Sequence, residues 1–389
     1  MKSGQGIYLH IPFCKQACNY CNFHFSTSKR GRAEVLQAIN HEIALRASEW
    51  DRSPVRTIYL GGGTPSLLNS QELEQLFNSL AANASLHTVH EISLEANPDD
   101  LDQASISVLA NSPVNRLSIG IQSFHEADLQ FMNRAHSATE ALASLSLVRS
   151  AGFKNLSIDL IYGSPTTSHK MWEENLDRAI DLGIPHISAY ALTVEPRTAL
   201  AHQIKTGQSP AVDEGKAAEQ FQVLVEKLVA AGYVHYEISN FSLPGYYSQH
   251  NSSYWQGLPY IGIGPSAHSY DGLRERRWNI AHNARYQQLV VGLKEAVDYY
   301  AIQGLYSIEQ LSLADRYNER VMTSLRTSKG LDFPALKADF GADFANYFEQ
   351  QLASFIQKGQ LIFSEDQHYR LSTHARFLAD GIAAEAFWV

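Results

Sequence analysis

Apolar runs of strand length recur through the first two thirds of the chain. Each ends in Gly, Pro or polar residues and is followed by an amphipathic helical stretch. The strand candidates are "GIYLHI" from Gly6, "TIYLGGG" from Thr57, "EISLEAN" from Glu91, "RLSIGIQSF" from Arg116, "NLSIDLIYG" from Asn155 and "HISAYALTV" from His186. A weaker one, "HYEISNF", starts at His235. Helical periodicity covers, for example, 32–49, 70–83, 138–151 and 212–231. Strands alternating with helices predict βαβ units, a parallel sheet and right-handed crossovers. Six such units fit a partial (β/α)6 barrel over residues 1–243 better than a full eight-fold one, so the expected fold class is α/β.

The strand ends carry unusual chemistry: Gly61-Gly62-Gly63-Thr64-Pro65, Glu95-Ala96-Asn97-Pro98, Gln122, Asp159 and Glu195-Pro196. One such end is explained by the need to stop a strand. Five in succession point to the rim where parallel α/β folds bind ligands.

After about residue 243 the pattern changes. Residues 244–300 are rich in Tyr, Gly and Ser, with neither alternation nor helical period, and read as a linker segment. Residues 301–389 read as a C-terminal α+β module. Helical segments at 308–326, 334–339 and 343–358 precede a hairpin in "LIFSEDQHYRLS", an order resembling a winged helix. That module has 8 Lys and Arg against 11 Asp and Glu, which gives no footprint for nucleic acid and favours a packing or lid role.

Composition narrows the class. With 44% hydrophobic and 18% charged residues, the 389-residue chain has the balance of a soluble globular protein. A net charge of −9 argues against broad attraction to nucleic acid or an anionic bilayer. No apolar run approaches the roughly 20 residues of a spanning helix. The opening "MKSGQGIYLHIPF" shows no leader core or cleavage site, and the thiols suggest a reducing compartment, so a cytoplasmic location is expected. Oligomeric state is left open by the sequence.

All three cysteines, Cys14, Cys18 and Cys21, fall within "IPFCKQACNYCNF" at C-x3-C-x2-C spacing. Three thiolates on a flexible loop suit an iron–sulfur cluster and would leave one of four irons open to a ligand. Two rivals are weaker. Buried small hydrophobes on one helical face conflict with Pro12 and with polar Lys15, Gln16, Asn19 and Asn22. Zinc, with His24 or His10 as fourth ligand, lacks the two separated pairs usual for structural sites.

A C-x3-C-x2-C after a first strand ending in "HIPFC" resembles the radical S-adenosylmethionine (SAM) superfamily. The resemblance implies a [4Fe–4S] cluster on the three cysteines, with SAM chelating the fourth iron and a 5′-deoxyadenosyl radical released on reduction. It also implies an electron donor for the cluster, and places Tyr20 near the adenine.

The rim residues are chemically suited to such a ligand. The glycines let backbone approach closely, and Glu95, Gln122 and Asp159 are acceptors for hydroxyls or an ammonium group. Arg134 is a donor fork for a carboxylate. The ordered set "YLHIPFC", "YLGGGTPSLL", "SLEANPD", "RLSIGIQSF", "MNRAH" and "IDLIYGSP" resembles the oxygen-independent coproporphyrinogen III oxidase branch. Within that branch it resembles the haem-chaperone subgroup known as HemW. By position the resemblance implies SAM contacts at Tyr8, Gly62, Gly63, Thr64, Glu95, Gln122, Arg134, Asp159 and Ala191, undivided between one SAM site and two.

Two departures separate this chain from the oxidases of that branch. Phe23 stands where they have a fourth cysteine, and only 13 residues precede Cys14. "HNSSYW" at 250–255 resembles the HNxxYW signature that the chaperone subgroup associates with haem, which makes His250 the candidate haem ligand and His268 a second. The expected function is therefore a haem chaperone that delivers haem to an acceptor protein. The alternatives are a coproporphyrinogen III decarboxylase and an electron-transfer or scaffold protein with a structural cluster.

Overall fold

The computed structural model describes residues 4–389; residues 1–3, the head of the stretch read for a leader, lie outside the described residues. Strand and helix alternate from the start: β1 (Gln5–Ile11), α1 (Arg32–Leu45), β2 (Val55–Gly62), α2 (Ser70–Asn83), β3 (Glu91–Ala96) and α3 (Gln103–Ala110). Next come β4 (Arg116–Gln122), α4 (Glu126–Phe131), α5 (Ala138–Ser150), β5 (Asn155–Tyr162), α6 (His169–Asp181) and β6 (His186–Ala191). The chain continues through α7 (Ala199–Lys205), α8 (Glu214–Ala230), β7 (Val234–Glu237), β8 (Asn240–Ser242) and α9 (Gln249–Trp255). Then follow β9 (Tyr260–Ile263), β10 (His268–Tyr270), β11 (Glu275–Asn279), α10 (Asn283–Val291), α11 (Ala296–Ala301) and β12 (Tyr306–Gln310).

β1 to β6 pair in parallel and in chain order, as expected for consecutive βαβ units. β9 lies parallel against β1, with Gly6 opposite Tyr260, and β10, β11 and β12 continue antiparallel. At the other edge β8 pairs antiparallel with β6, and β7 antiparallel with β8. The outermost strands, β12 and β7, do not pair with each other, so the sheet is an open, partial barrel.

Period-two alternation in the strands creates its two faces. Ile7, Leu9, Ile58, Leu60, Leu94, Leu117, Ile119, Ile158 and Leu160 are fully buried under the helices. Each such side chain contributes about 1.5–3 kcal/mol. The alternate positions Tyr8, Tyr59, Glu95, Ser118, Asp159 and Tyr190 face the other way and stay partly exposed, lining an aromatic and polar trough. The helices start on real caps: Asn69 with Glu72 for α2 and Ser137 with Glu140 for α5 form capping boxes.

Three pattern-based expectations change. "HYEISNF" is two short antiparallel strands, β7 and β8, turning at Ile238-Ser239. The segment read as helical from 308 starts as strand β12. Residues 244–300 contain regular elements, and β9 to β11 belong to the main sheet. A buried ionic network fastens that extension to α1. Arg46, fully buried, donates to Glu42 (3.2 Å), to Glu49 (2.8 and 2.9 Å) and to the Gly262 carbonyl (2.6 Å). Glu42 also accepts from Tyr286, Tyr299 and Asn279, and Glu49 from Arg277.

The C-terminal module follows the expected order: α12 (Leu313–Leu325), β13 (Leu331–Asp332), α13 (Phe333–Phe340), α14 (Ala342–Gln357), then the hairpin β14 (Leu361–Phe363) and β15 (His368–Leu371), and α15 (Ala379–Glu385). It has its own hydrophobic core around Tyr317, Phe348 and Leu352. Among the described residues, no helix is long and apolar enough to cross a membrane.

Candidate functional site

The cysteine loop leaves β1 at Pro12 and is clipped at its neck by Ser26 N–H to Pro12 C=O (2.9 Å) and Cys14 N–H to Ser26 C=O (3.0 Å). Its far side is tied to the "FMNRAH" turn after α4. Asn19 donates to Phe131 C=O (2.8 Å), Asn133 donates to Ala17 C=O (2.7 Å), and Gln16 donates back to Asn133. All three thiols are free and partly exposed. Burial pushes the Cys14 thiol up to about 11 and Cys21 upward as well; metal coordination of a thiol reverses that cost by removing the proton outright.

Among the described residues no three His, Cys, Asp or Glu side chains converge closely enough to hold a single ion. Three thiols on one loop suit the separate corners of a cluster. The donor set fits too. Arg134 directs Nη1 at Cys18 Sγ (3.3 Å) and Nη2 at Asn97 Oδ1 (2.6 Å) and Gly120 C=O (2.8 Å), while its buried Nε has no partner. Arg134 is thus aimed at the cysteine loop and retains an unused donor.

The glycine turn presses against the end of β1. Gly62 has φ +106°, and a Cβ there would lie 2.5 Å from the His10 ring; at Gly63 it would lie 2.6 Å from Phe13 C=O. Only glycine fits both positions. Gly63 and Thr64 N–H donate to the Ile11 and Phe13 carbonyls (2.9 and 2.7 Å), and Gly62 N–H donates to Glu95 Oε2 (3.2 Å). Tyr59 donates to Glu95 Oε1 at 2.8 Å. Burial pushes the Glu95 carboxyl up to about 7 against these two donors, and pushes Asp159 up to about 6 against Ser188 and Ser118.

These contacts bring Cys18, Tyr20, Gly62, Gly63, Thr64, Glu95 and Arg134 to one end of the trough. Arg134 Nη1 lies 3.5 Å from Tyr20 OH, and Asn97 donates to Thr64 Oγ1 at 3.2 Å. Gln122, with φ +63°, closes β4 where the register breaks beside Gly120. Asp159 and Ala191 occupy the neighbouring β5 and β6, and Tyr8 stacks on Tyr59 at 6.1 Å and meets His10 Nδ1 at 3.2 Å. Tyr59 and His10 also shape the site, as does Asn97, which follows β3 at the rim; the alternate strand position of Tyr59 was the available signal.

His250 is elsewhere. α9 plugs the opposite end of the trough, with its first N–H groups capped by buried Glu91 (3.0 Å each from Gln249 and His250). The His250 ring is 1% exposed, stacks on Tyr59 at 5.1 Å, and has both nitrogens engaged, Nδ1 with Thr57 Oγ1 and Nε2 with Tyr254 OH, each at 2.8 Å. Burial lowers its pKa to about 3, so the imidazole is neutral. From Thr57 to Gly62 is roughly 16 Å along the strand at 3.3 Å per residue. His268 lies on β10, exposed and stacked on Trp278 at 5.8 Å, without a hydrogen bond to His250.

Comparison with known proteins agrees with this layout. Residues 8–192 match the radical SAM superfamily model, and residues 311–378 match the HemN C-terminal domain. The "Heme chaperone HemW" of Lactococcus lactis is 32% identical over 366 residues, covering 94% of this chain and 92% of that protein. That of Mycobacterium tuberculosis is 32% identical over 381 residues, covering 97% and 93%. The Escherichia coli coproporphyrinogen III oxidase HemN superposes with a TM-score of 0.83 over 100% of this chain and 91% of that one; at 23% identity this likeness speaks for the fold. The chain belongs to the HemW family of the radical SAM superfamily.

Proposed function

We propose that this protein is a haem chaperone, holding haem at the HNSSYW helix and passing it to an acceptor protein. Cys14, Cys18 and Cys21, at the other end of the trough, would hold a SAM-coordinated [4Fe–4S] cluster. The observation carrying this reading is the contiguity of the two ends: His250 stacks on Tyr59, Tyr59 donates to Glu95, and Glu95 accepts from Gly62 in the glycine turn. When bound, the cluster supplies an electron and an open coordination position. The protein's part is positional. Arg134 is placed for a carboxylate, Glu95 and Asp159 for hydroxyl or ammonium groups, and the Gly62–Thr64 backbone for the amino-acid end of SAM. His250 is the candidate iron ligand, and to reach iron one ring nitrogen must give up its partner, Thr57 on Nδ1 or Tyr254 on Nε2. The three unpaired thiols support a reducing, cytosolic setting.

Decarboxylation of coproporphyrinogen III is the second reading, favoured by the fold shared with HemN. Against it, Phe23 is 71% exposed on the cysteine loop, where the oxidases carry a fourth cysteine. Anaerobically reconstituted protein is tested with SAM and dithionite on coproporphyrinogen III, and separately for transfer of bound haem to an apo-haemoprotein. Transfer without decarboxylation is the expected result. Turnover of the porphyrinogen gives the second reading precedence.

A further inference from the structure

On its outward side, α9 forms one wall of a cleft of about 230 Å³ against α12 and α13 of the C-terminal module. Trp255, Tyr260, Tyr270 and Phe340 supply its aromatic surface, and Arg276, Arg316 and Arg320 its charge. Resting on the haem reading above, we propose that this cleft receives the propionate-bearing edge of the porphyrin, the arginines meeting the carboxylates and the aromatic rings the macrocycle.

The charge is the first argument. Three guanidinium groups line the cleft with two carboxylates, Glu319 and Asp339, and Glu309 lies 3.7 Å from Arg276, so the cation left for a ligand is Arg316. Arg276 pairs with Glu319 at 2.8 Å and Arg320 with Asp339 at 3.3 Å. Among the described residues Arg316 has no carboxylate in salt-bridge range and lies 5.9 Å from the Phe340 ring centroid. It is half-buried and ready to accept an anion.

The second argument is continuity with the haem-associated motif. Two of its members, Tyr254 and Trp255, line the cleft. The ring of Trp255 has the Arg326 guanidinium 5.0 Å away, and its buried indole N–H has no acceptor. The third is size. The volume is below the roughly 300–1,000 Å³ of pockets that engulf a small ligand. An edge would be gripped and the rest left exposed, which suits a carrier that must release its cargo. The cleft also lies between main sheet and C-terminal module, so movement of that module would open or tighten it.

The test compares haem with haem dimethyl ester, in which both propionates are capped, on full-length wild type, Arg316→Gln and Trp255→Phe, each checked for native circular dichroism. The Soret titration is expected to show haem affinity falling about tenfold in Arg316→Gln, with the ester bound equally by both proteins. Trp255→Phe keeps an aromatic wall and is expected to retain haem within about threefold. If Arg316→Gln binds haem as wild type does, or loses haem and ester alike, the cleft assignment is overturned while the haem reading stands. A wild type with no saturable Soret band overturns the haem reading itself.

Discussion

Replacing Tyr59 by Phe tests whether the trough positions the Glu95 carboxylate for its ligand. Phe preserves the stack on His250 and removes one hydroxyl, which donates to Glu95 at 2.8 Å; the remaining donor is Gly62 N–H at 3.2 Å. Burial already holds the carboxyl at about 7. A lost hydrogen bond of about 1.4 kcal/mol to the ionised form raises it by about one further unit. At pH about 7.5 the ionised fraction then falls from about three quarters to about one quarter. If the carboxylate is the form that accepts from SAM, binding weakens about threefold at that pH. The midpoint of binding against pH moves from near 7 to about 8, with binding lost as pH falls through it. Calorimetric titration of SAM into anaerobically reconstituted protein across this range reads both quantities. An unchanged midpoint with unchanged affinity would refute the positioning role.

Three other outcomes are expected. Gly62→Ala, which places a methyl 2.5 Å from the His10 ring at φ +106°, abolishes SAM binding while near-native circular dichroism persists, because the clash is confined to the turn. Arg46→Ala leaves buried Glu42 without a cation and Glu49 with Arg277 alone, and costs about 3–5 kcal/mol, read as a lowered urea midpoint. Glu49 behaves accordingly in acid. Burial alone would raise its carboxyl, but Arg46 and Arg277 hold it down at about 2. That contribution is fully present above about 4.5 and lost as pH falls through about 2, removing about 3 kcal/mol that Glu49→Gln should no longer show in acid unfolding.

Much of the scaffold was readable because it rests on local signals. The strand-to-helix alternation marked six parallel strands with their order, and cap residues such as Asn69 and Ser137 start helices where the periodicity begins. The cysteine loop and the glycine turn were legible as chemistry because their residue types are hard to explain otherwise. What escaped is non-local. β9, β10 and β11 are three to five residues long, too short for a periodic signature, and owe their existence to pairing with β1 and with one another. The same is true of α9: nothing in HNSSYW indicates that Glu91, far back in the chain, caps it, or that Gly6 leaves room for the imidazole, with a Cβ there only 3.0 Å from His250. Tyr59 was within reach, since it shares its strand face with Thr57, and only the packing of α9 shows why both matter.

The most direct test of the account is a Soret titration of the purified, full-length protein with haem. The account predicts a saturable band that reaches its plateau at one equivalent and weakens in His250→Ala. A featureless response, indistinguishable from haem added to buffer, would contradict it.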